Sequence, residues 1–237
     1  MKDYIVILSL WKRGQWLEEQ LEIFKNQTLP PKEIWLCHGL NEENKHFLNS
    51  GIFEKFDKVI TIEDGGSVFS RFEMAAASKE KLFLVIDDDM FPTKNYMEKC
   101  LEFYGENQDC IIASSGRIFA TRTSYFPNQT LGSINHTSAR QVHIGTNGWF
   151  LSRDSVNEML TVHDKKYNNG EDIALSFINL KNRKVKTFVI EQNDKTNSDK
   201  YKHSRGVGEE ALSHGSKHEE FYRQRNEILS YYFAGKF

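Results

Sequence analysis

Alternation between short apolar runs and amphipathic segments restricts the fold more than any other feature of this sequence. Residues 4–10 (YIVILSL) form a continuous apolar run, the pattern of a strand buried on both faces of a parallel sheet. Residues 15–25 carry apolar side chains at helical spacing, and the segment ends before Pro30 and Pro31. A second strand at 33–37 completes a β-α-β unit, and a right-handed crossover makes its two strands parallel.

The same unit repeats further along the chain. Helices are expected at 47–56 and 70–79, and strands at 58–62 and 81–86. This repetition predicts an α/β protein with an open, mainly parallel central sheet. Ligands of such sheets bind beyond the carboxyl ends of the strands. The residues that follow each strand are therefore the first candidates for a functional site.

The second half of the chain has a looser pattern. The 237 residues suit one large domain, with 39% hydrophobic residues to supply its core. Residues 191–218 are polar and nearly without apolar side chains, which predicts a mobile loop. The remaining expected elements are helices at 96–104, 172–180 and 219–233 and strands at 111–113, 116–121 and 141–144.

Composition excludes several classes of protein. A formal net charge of -2 gives no basic face for nucleic acid. Three cysteines without C-x-x-C spacing indicate neither a disulfide framework nor a zinc site, and a reducing compartment is expected. The N-terminal apolar run is too short for a membrane span or a signal sequence, so we expect a cytoplasmic protein. The glycosylation sequons at Asn26, Asn128 and Asn135 are then chance occurrences.

The strongest chemical signal is Asp87-Asp88-Asp89, directly after the apolar segment KLFLVI. Adjacent carboxylates repel one another, and a divalent cation removes that cost. Mg²⁺ and Mn²⁺ prefer such oxygen ligands and often join them to substrate phosphates. A solvated acidic turn is the alternative, but the position after a buried strand favours a metal site.

The second signal is Glu171-Asp172, within the segment NGEDIALSF. Acidic residues at a helix start are favoured by the helix dipole, so a capping pair is the structural interpretation. The functional interpretation is a general base that takes the proton from an attacking hydroxyl group.

Together these segments resemble the GT-A glycosyltransferases, especially family-2-like enzymes. Three further segments agree with the resemblance: NQT-x-PP-x-EI around the second strand, Ser70-Arg71-Phe72 before the three aspartates, and GTNGWF at residues 145–150. Retaining exostosin-like transferases have similar DDD and EDI segments, so the resemblance leaves open whether the configuration is retained or inverted. The resemblance implies a GT-A, Rossmann-like fold in which residues 1–110 bind a nucleotide sugar and residues 111–237 bind a glycan or other hydroxyl acceptor.

The same resemblance implies a role for individual residues. Asp89 would bind Mn²⁺ or Mg²⁺ directly, with Asp87 supporting the metal or contacting the donor ribose. Asp172 would be the base, with Glu171 beside it on acceptor hydroxyls, which predicts inversion at the anomeric carbon. The donor contacts would be Ser9, Trp11, His38, Arg71, Asp87 and Asp88, and the acceptor contacts Gly148 and Trp149.

A downstream histidine sometimes completes the metal shell in GT-A enzymes. His203, His214 and His218 are the candidates in this sequence, with His203 taken first. The cations Lys200, Lys202 and Arg205 could fold over the donor diphosphate. One segment departs from the family: acidic residues often follow the second strand, whereas this chain has Cys37-His38-Gly39, so the nucleotide stays open.

Two other functions remain as alternatives. A sugar-nucleotide-binding module would keep the fold without catalysis, but it has no need of a positioned base. A metal-dependent phosphotransferase or nucleotidyltransferase would also use carboxylates at strand ends. Those enzymes usually carry a glycine-rich phosphate loop with lysine, and no G-x-x-x-x-G-K-[ST] occurs in this chain.

Overall fold

The computed structural model describes residues 3–107, 109–131, 138–164, 166–167, 169–191 and 218–234. Nine strands among them form one sheet in the order β3-β2-β1-β4-β8-β5-β9-β7, and β6 pairs with β5. The strands are β1 (Ile5–Leu10), β2 (Glu33–Gly39), β3 (Lys58–Ile62), β4 (Leu82–Ile86), β5 (Ile111–Phe119), β6 (Asn128–Leu131), β7 (Arg140–Val142), β8 (Ile144–Ser152) and β9 (Thr187–Val189).

Six α-helices accompany the sheet in the described residues. They are α1 (Leu17–Lys25), α2 (Ser70–Ala76), α3 (Tyr96–Glu106), α4 (Arg153–Val162), α5 (Glu171–Arg183) and α6 (His218–Phe233). No helix in these residues is long and apolar enough to cross a membrane.

The first four strands are parallel, as the alternating pattern predicts. β1 pairs with β2 on one side and with β4 on the other, and β2 also pairs with β3. All side chains of β4 are buried, as are five of the six in β1, because both faces of these strands are covered. Beyond β4 the sheet becomes mixed, since β8 runs antiparallel to both β4 and β5.

Alternate side chains of the central strands belong to two separate hydrophobic cores, one on each face of the sheet. Ile7 of β1 and Val85 of β4 belong to a core with α2, α4, α5 and α6. Leu8 and Ile86 point to the opposite face and belong to a core with α1 and α3. Helices therefore cover both faces, and the open side available to a ligand is the edge where the parallel strands end.

Several predicted elements differ from the structure. The helix predicted at 47–56 is two short 3₁₀ helices, Lys45–Asn49 and Ile52–Lys55, because Gly51 between them has a left-handed φ of 72°. The strands predicted at 111–113 and 116–121 are one strand, β5. The strand predicted at 141–144 is instead β7, which ends at Val142 before β8 begins at Ile144. Helix α4 and strands β6 and β9 were not predicted.

Candidate active site

A cleft of about 530 Å³ lies at the carboxyl ends of the parallel strands. Ser9 and Trp11 reach it from the end of β1, Gly39 from β2, and the three aspartates from the end of β4. Its opposite wall consists of β8 and the N-terminus of α5, together with side chains of α6. The topology thus brings residues from both halves of the sequence to one cavity.

The three aspartates are held tightly at the end of β4. The backbone N–H of Asp87 donates to the Asn147 carbonyl at 2.9 Å, which joins this turn to β8. Gln20 of α1 donates from Nε2 to the carbonyl oxygens of Asp87 and Met90, both at 2.9 Å. These bonds fix the backbone, so the carboxylates project into the cleft from a rigid turn.

Arg13, from the loop after β1, neutralises two of these carboxylates. One terminal nitrogen lies 2.7 Å from Oδ1 of Asp88, and the other lies 2.7 Å from Oδ2 of Asp89. Burial and the negative charge of Asp87 together raise the pKa of Asp89 to about 6, against the opposing effect of Arg13. Burial also raises the pKa of Asp88. The turn therefore carries more negative charge than Arg13 alone relieves.

Arg71 of α2 joins the two halves of the cleft. Its guanidinium donates to Oδ1 of Asp87 and, at 3.0 Å, to Oε1 of Glu171. The same group lies over the ring of Trp149, 5.0 Å from the ring centre. Arg71 is 9% exposed, so these contacts replace water around its charge.

Glu171 and Asp172 begin helix α5 and face the cleft. The N-cap is Gly170, whose φ of 80° suits glycine and which has no side chain to cap the helix. Asp172 accepts a hydrogen bond from the Ile173 N–H at 2.8 Å and pairs through Oδ2 with Arg225 of α6. Burial raises the pKa of Glu171 to about 7, helped by the charge of Asp172. Neither acid serves as the N-cap residue.

The comparisons with known proteins agree with this geometry. The family described as Glycosyl transferase family 2 matches residues 5–160, from β1 to α4. The chain belongs to this family. No curated protein matches this glycosyltransferase in sequence.

Solved structures of S. aureus TarS resemble the glycosyltransferase in fold. TarS 1-349 in complex with UDP has a TM-score of 0.57 at 15% identity, covering 81% of this chain and 58% of that one. A longer TarS structure has a TM-score of 0.58 at 11% identity, covering 98% of this chain and 44% of that one. A further structure of TarS 1-349 has a TM-score of 0.57 at 13% identity, covering 99% of this chain and 71% of that one. The chain thus spans about half the length of the first two.

Most of the site residues indicated by sequence line the cleft of this glycosyltransferase. They are Ser9, Trp11, Arg71, Asp87, Asp88, Asp89, Trp149, Glu171 and Asp172. Trp149 is only 1% exposed and donates from Nε1 to the Gly145 carbonyl at 2.9 Å. It therefore forms the floor beneath Arg71 rather than a free surface for stacking.

Two predicted contacts, His38 and Gly148, do not line the cleft. His38 is fully buried, with Nε2 3.0 Å from Oδ1 of Asn44, because it points away from its cleft-lining neighbours Cys37 and Gly39. Burial lowers the pKa of His38. Gly148 faces away from the cleft while Asn147 and Trp149 face it, as alternation along a strand requires.

The proposed metal histidines and loop cations cannot be placed. His203, His214 and the side chain of His218 lie outside the described residues, as do Lys200, Lys202 and Arg205. Within the described part of the chain, no group of three or more His, Cys, Asp or Glu side chains is arranged to hold a metal ion.

Sequence reasoning missed several residues of the glycosyltransferase cleft. They are Arg13, Arg117, Tyr125, Asn169, Phe221, Tyr222 and Arg225, among others. Arg13 had a usable signal, since it follows the first strand and must approach the same edge as the aspartates. Arg225 had none, because its partner Asp172 is 53 residues away on a different helix.

Proposed function

We propose that this family-2 glycosyltransferase moves a sugar from a nucleoside diphosphate sugar to a hydroxyl acceptor and requires a divalent cation. One observation carries the proposal: carboxylates from two distant segments line a single cleft, and Arg71 connects them. One group of acids suits a donor diphosphate with its cation, and the other suits proton transfer from the acceptor. The TarS structure described with UDP makes uridine diphosphate sugars the first donors to test.

The carboxylates suit Mn²⁺ or Mg²⁺ in their chemistry. Asp87 and Asp89 offer hard oxygen ligands at the cleft, where burial and, after it, the negative charge of Asp87 raise the pKa of Asp89. Asp87 and Asp89 would hold the cation, which would neutralise the charge of the departing nucleoside diphosphate.

The chain's own residues supply the remaining chemistry. Asp172 takes the proton of the acceptor hydroxyl while the oxygen of that hydroxyl forms a bond to the anomeric carbon. The bond between that carbon and the diphosphate oxygen breaks, and the electron pair leaves with the diphosphate. Arg225 and the Ile173 N–H hold Asp172 in position. Attack opposite to the leaving group inverts the configuration.

An aromatic wall supports a carbohydrate acceptor on the same side as Asp172. Tyr125, Phe221 and Tyr222 line the cleft, with the Tyr125 and Tyr222 rings 5.7 Å apart. The guanidinium of Arg225 lies 4.5 Å from the centre of the Tyr125 ring, which links this wall to Asp172. Aromatic faces with neighbouring polar groups suit the apolar faces and hydroxyls of a sugar ring.

The deciding experiment is a panel of UDP, GDP and dTDP sugars incubated with the purified protein and Mn²⁺ or excess EDTA. Release of nucleoside diphosphate is expected with one donor class and only with the cation. Full release in EDTA would contradict cation dependence, and release from no donor would favour a binding module.

A variant tests the role of Asp89 separately. Asp89→Ala removes a hard oxygen ligand, so cation-supported donor binding should be lost, by about 10²-fold or more if the metal is needed. Calorimetry with UDP and Mn²⁺ measures the loss, and a melting curve checks the fold. Asp154→Ala is the matched control because Asp154 is exposed on α4, away from the cleft. A folded Asp89→Ala protein with unchanged binding would remove Asp89 from the site.

A further inference from the structure

Arg13 already occupies the space between two carboxylates that are candidates for the cation. Its two terminal nitrogens lie 2.7 Å from an oxygen of Asp88 and of Asp89. All three side chains are at least four-fifths buried, with exposures of 13%, 9% and 16% respectively. The pairing is therefore a charge-assisted, largely water-excluded contact rather than a surface ion pair.

The contact opposes cation binding at Asp89. Oδ2 of Asp89 accepts from Arg13, so a cation bound to this carboxylate would lie next to the guanidinium and repel it. A cation that binds Asp89 must therefore displace Arg13, and the displaced guanidinium needs another anion. Arg71 cannot exchange roles with it, because Arg71 pairs with both Asp87 and Glu171.

We propose that Arg13 is a built-in counter-ion that keeps Asp88 and Asp89 from binding a cation until a nucleoside diphosphate enters. The inference rests on the proposed function, and it adds a reason why the nucleoside diphosphate must enter before or together with the cation. Arg13 lines the cleft beside the aspartates, so a diphosphate there offers its guanidinium a bidentate partner. Among the described residues the Nε of Arg13 is buried without a hydrogen-bond partner, so its N–H becomes one further donor for that anion once the side chain moves.

This arrangement couples the two ligands. A diphosphate that draws Arg13 away frees Asp89 for the cation, and a cation on Asp89 frees Arg13 for the diphosphate. Linkage requires that each ligand tighten the binding of the other by the same factor. The donor-free enzyme would then bind free Mn²⁺ weakly even though three carboxylates are adjacent.

Titration of Mn²⁺, followed by electron paramagnetic resonance, tests the proposal on the whole chain. Arg13→Met keeps an unbranched apolar side chain about as long as the stem of arginine and removes the charge. It should bind Mn²⁺ alone at least about tenfold more tightly than the native protein, since a competing positive charge has been removed. Lys12→Met is the matched control, because Lys12 belongs to the same loop but pairs with Glu43 at 3.3 Å. Lys12→Met should bind Mn²⁺ as the native protein does.

A second titration includes UDP at saturating concentration. UDP should raise the Mn²⁺ affinity of the native protein by a larger factor than that of Arg13→Met, because only the native protein must move a guanidinium. Equal or weaker Mn²⁺ binding by Arg13→Met without UDP would overturn the proposal. Arg13→Gln provides the same comparison if the methionine variant does not fold.

The outcome is separable from the proposed function. If the native protein binds no Mn²⁺ even with UDP, cation dependence itself fails. If the native protein binds Mn²⁺ with UDP but Arg13→Met shows no gain in Mn²⁺ affinity alone, only the counter-ion role of Arg13 fails.

Discussion

At the residue scale, the cleft is organised by arginines that each hold a carboxylate from a distant segment. Arg71 joins Asp87 to Glu171, and Arg225 joins α6 to Asp172. Buried ion pairs are costly to break, because removal of one partner leaves an uncompensated charge. These pairs therefore fix the positions of the acids, and they make conservative amide substitutions more informative than alanine.

Asp172→Asn is expected to separate catalysis from donor binding. Asparagine keeps the size of the side chain but has one acceptor oxygen, whereas Asp172 accepts from the Ile173 N–H through Oδ1 and from Arg225 through Oδ2, and asparagine cannot take a proton. Transfer should fall by about 10²-fold or more while donor affinity hardly changes, and the melting temperature should fall because Arg225 loses its buried anion. Turnover and UDP affinity measured on the same preparation decide the matter, and near-normal turnover would exclude Asp172 as the base.

Glu171→Gln is the neighbouring comparison. Glu171 also lines the cleft, but we assign it to acceptor hydroxyls rather than to proton removal. Its substitution should raise the acceptor KM more than it lowers kcat. The opposite result, with kcat lost in Glu171→Gln and kept in Asp172→Asn, would transfer the role of base to Glu171.

At the scale of elements, α6 closes the side of the cleft that contains Asp172. Its residues Phe221, Tyr222 and Arg225 line the cavity, while Phe233 at its far end packs on Phe177 of α5 with ring centres 4.4 Å apart. One face of α6 thus lines the cleft, and the far end of the helix packs against the core.

Phe221→Ala and Tyr222→Ala test the aromatic wall. Loss of a stacking ring should raise the acceptor KM several-fold, about 1 kcal/mol per ring, with little effect on donor hydrolysis in the absence of acceptor. Tyr231→Ala is the control from the same helix, since Tyr231 does not line the cleft. Equal effects of all three substitutions on KM would indicate a general loosening of α6 rather than a binding surface.

The elements that could be predicted from sequence are those in which the pattern of apolar side chains indicates which faces are buried. The apolar runs of β1 and β4 reveal burial on both faces, and the acids after β4 follow from the strand that precedes them. Helix α4 was missed because its three buried residues are few and include Ser155. The antiparallel pairing of β8 with β4, which opposes Ile86 to Gly148, depends on tertiary contacts that no local pattern records.

At the scale of the whole molecule, the half-buried histidines His143 and His163 connect protonation to stability. His163 accepts at Nδ1 from the Tyr232 hydroxyl, because its Nε2 donates to the Tyr167 carbonyl at 2.8 Å. His143 accepts at Nδ1 from the Phe119 N–H at 2.9 Å. Burial lowers the pKa of both rings in the folded chain. Protonation at Nδ1 would replace each acceptor with a donor. The contact of His143 with the Phe119 N–H therefore requires the neutral ring, whereas the Tyr232 hydroxyl can reverse its direction and accept from His163.

The sign of the pH effect follows from these lowered pKa values. In the unfolded chain a histidine has a pKa of about 6.5, so below that pH the unfolded state binds more protons than the folded state. The histidine contribution to stability is complete above pH 6.5 and is lost as the pH falls toward the lowered folded values. Urea denaturation at pH 7.5 and pH 5.0 gives the fall in the free energy of unfolding between these pH values, which the histidines increase and the raised pKa values of Glu171 and Asp89 decrease. His163→Gln should reduce that difference, because glutamine can still donate to the Tyr167 carbonyl but does not titrate, whereas His46→Gln, at an exposed position, should leave it unchanged. If the free energy of unfolding changes between pH 7.5 and pH 5.0 by the same amount in His163→Gln as in the native protein, His163 does not contribute to acid sensitivity.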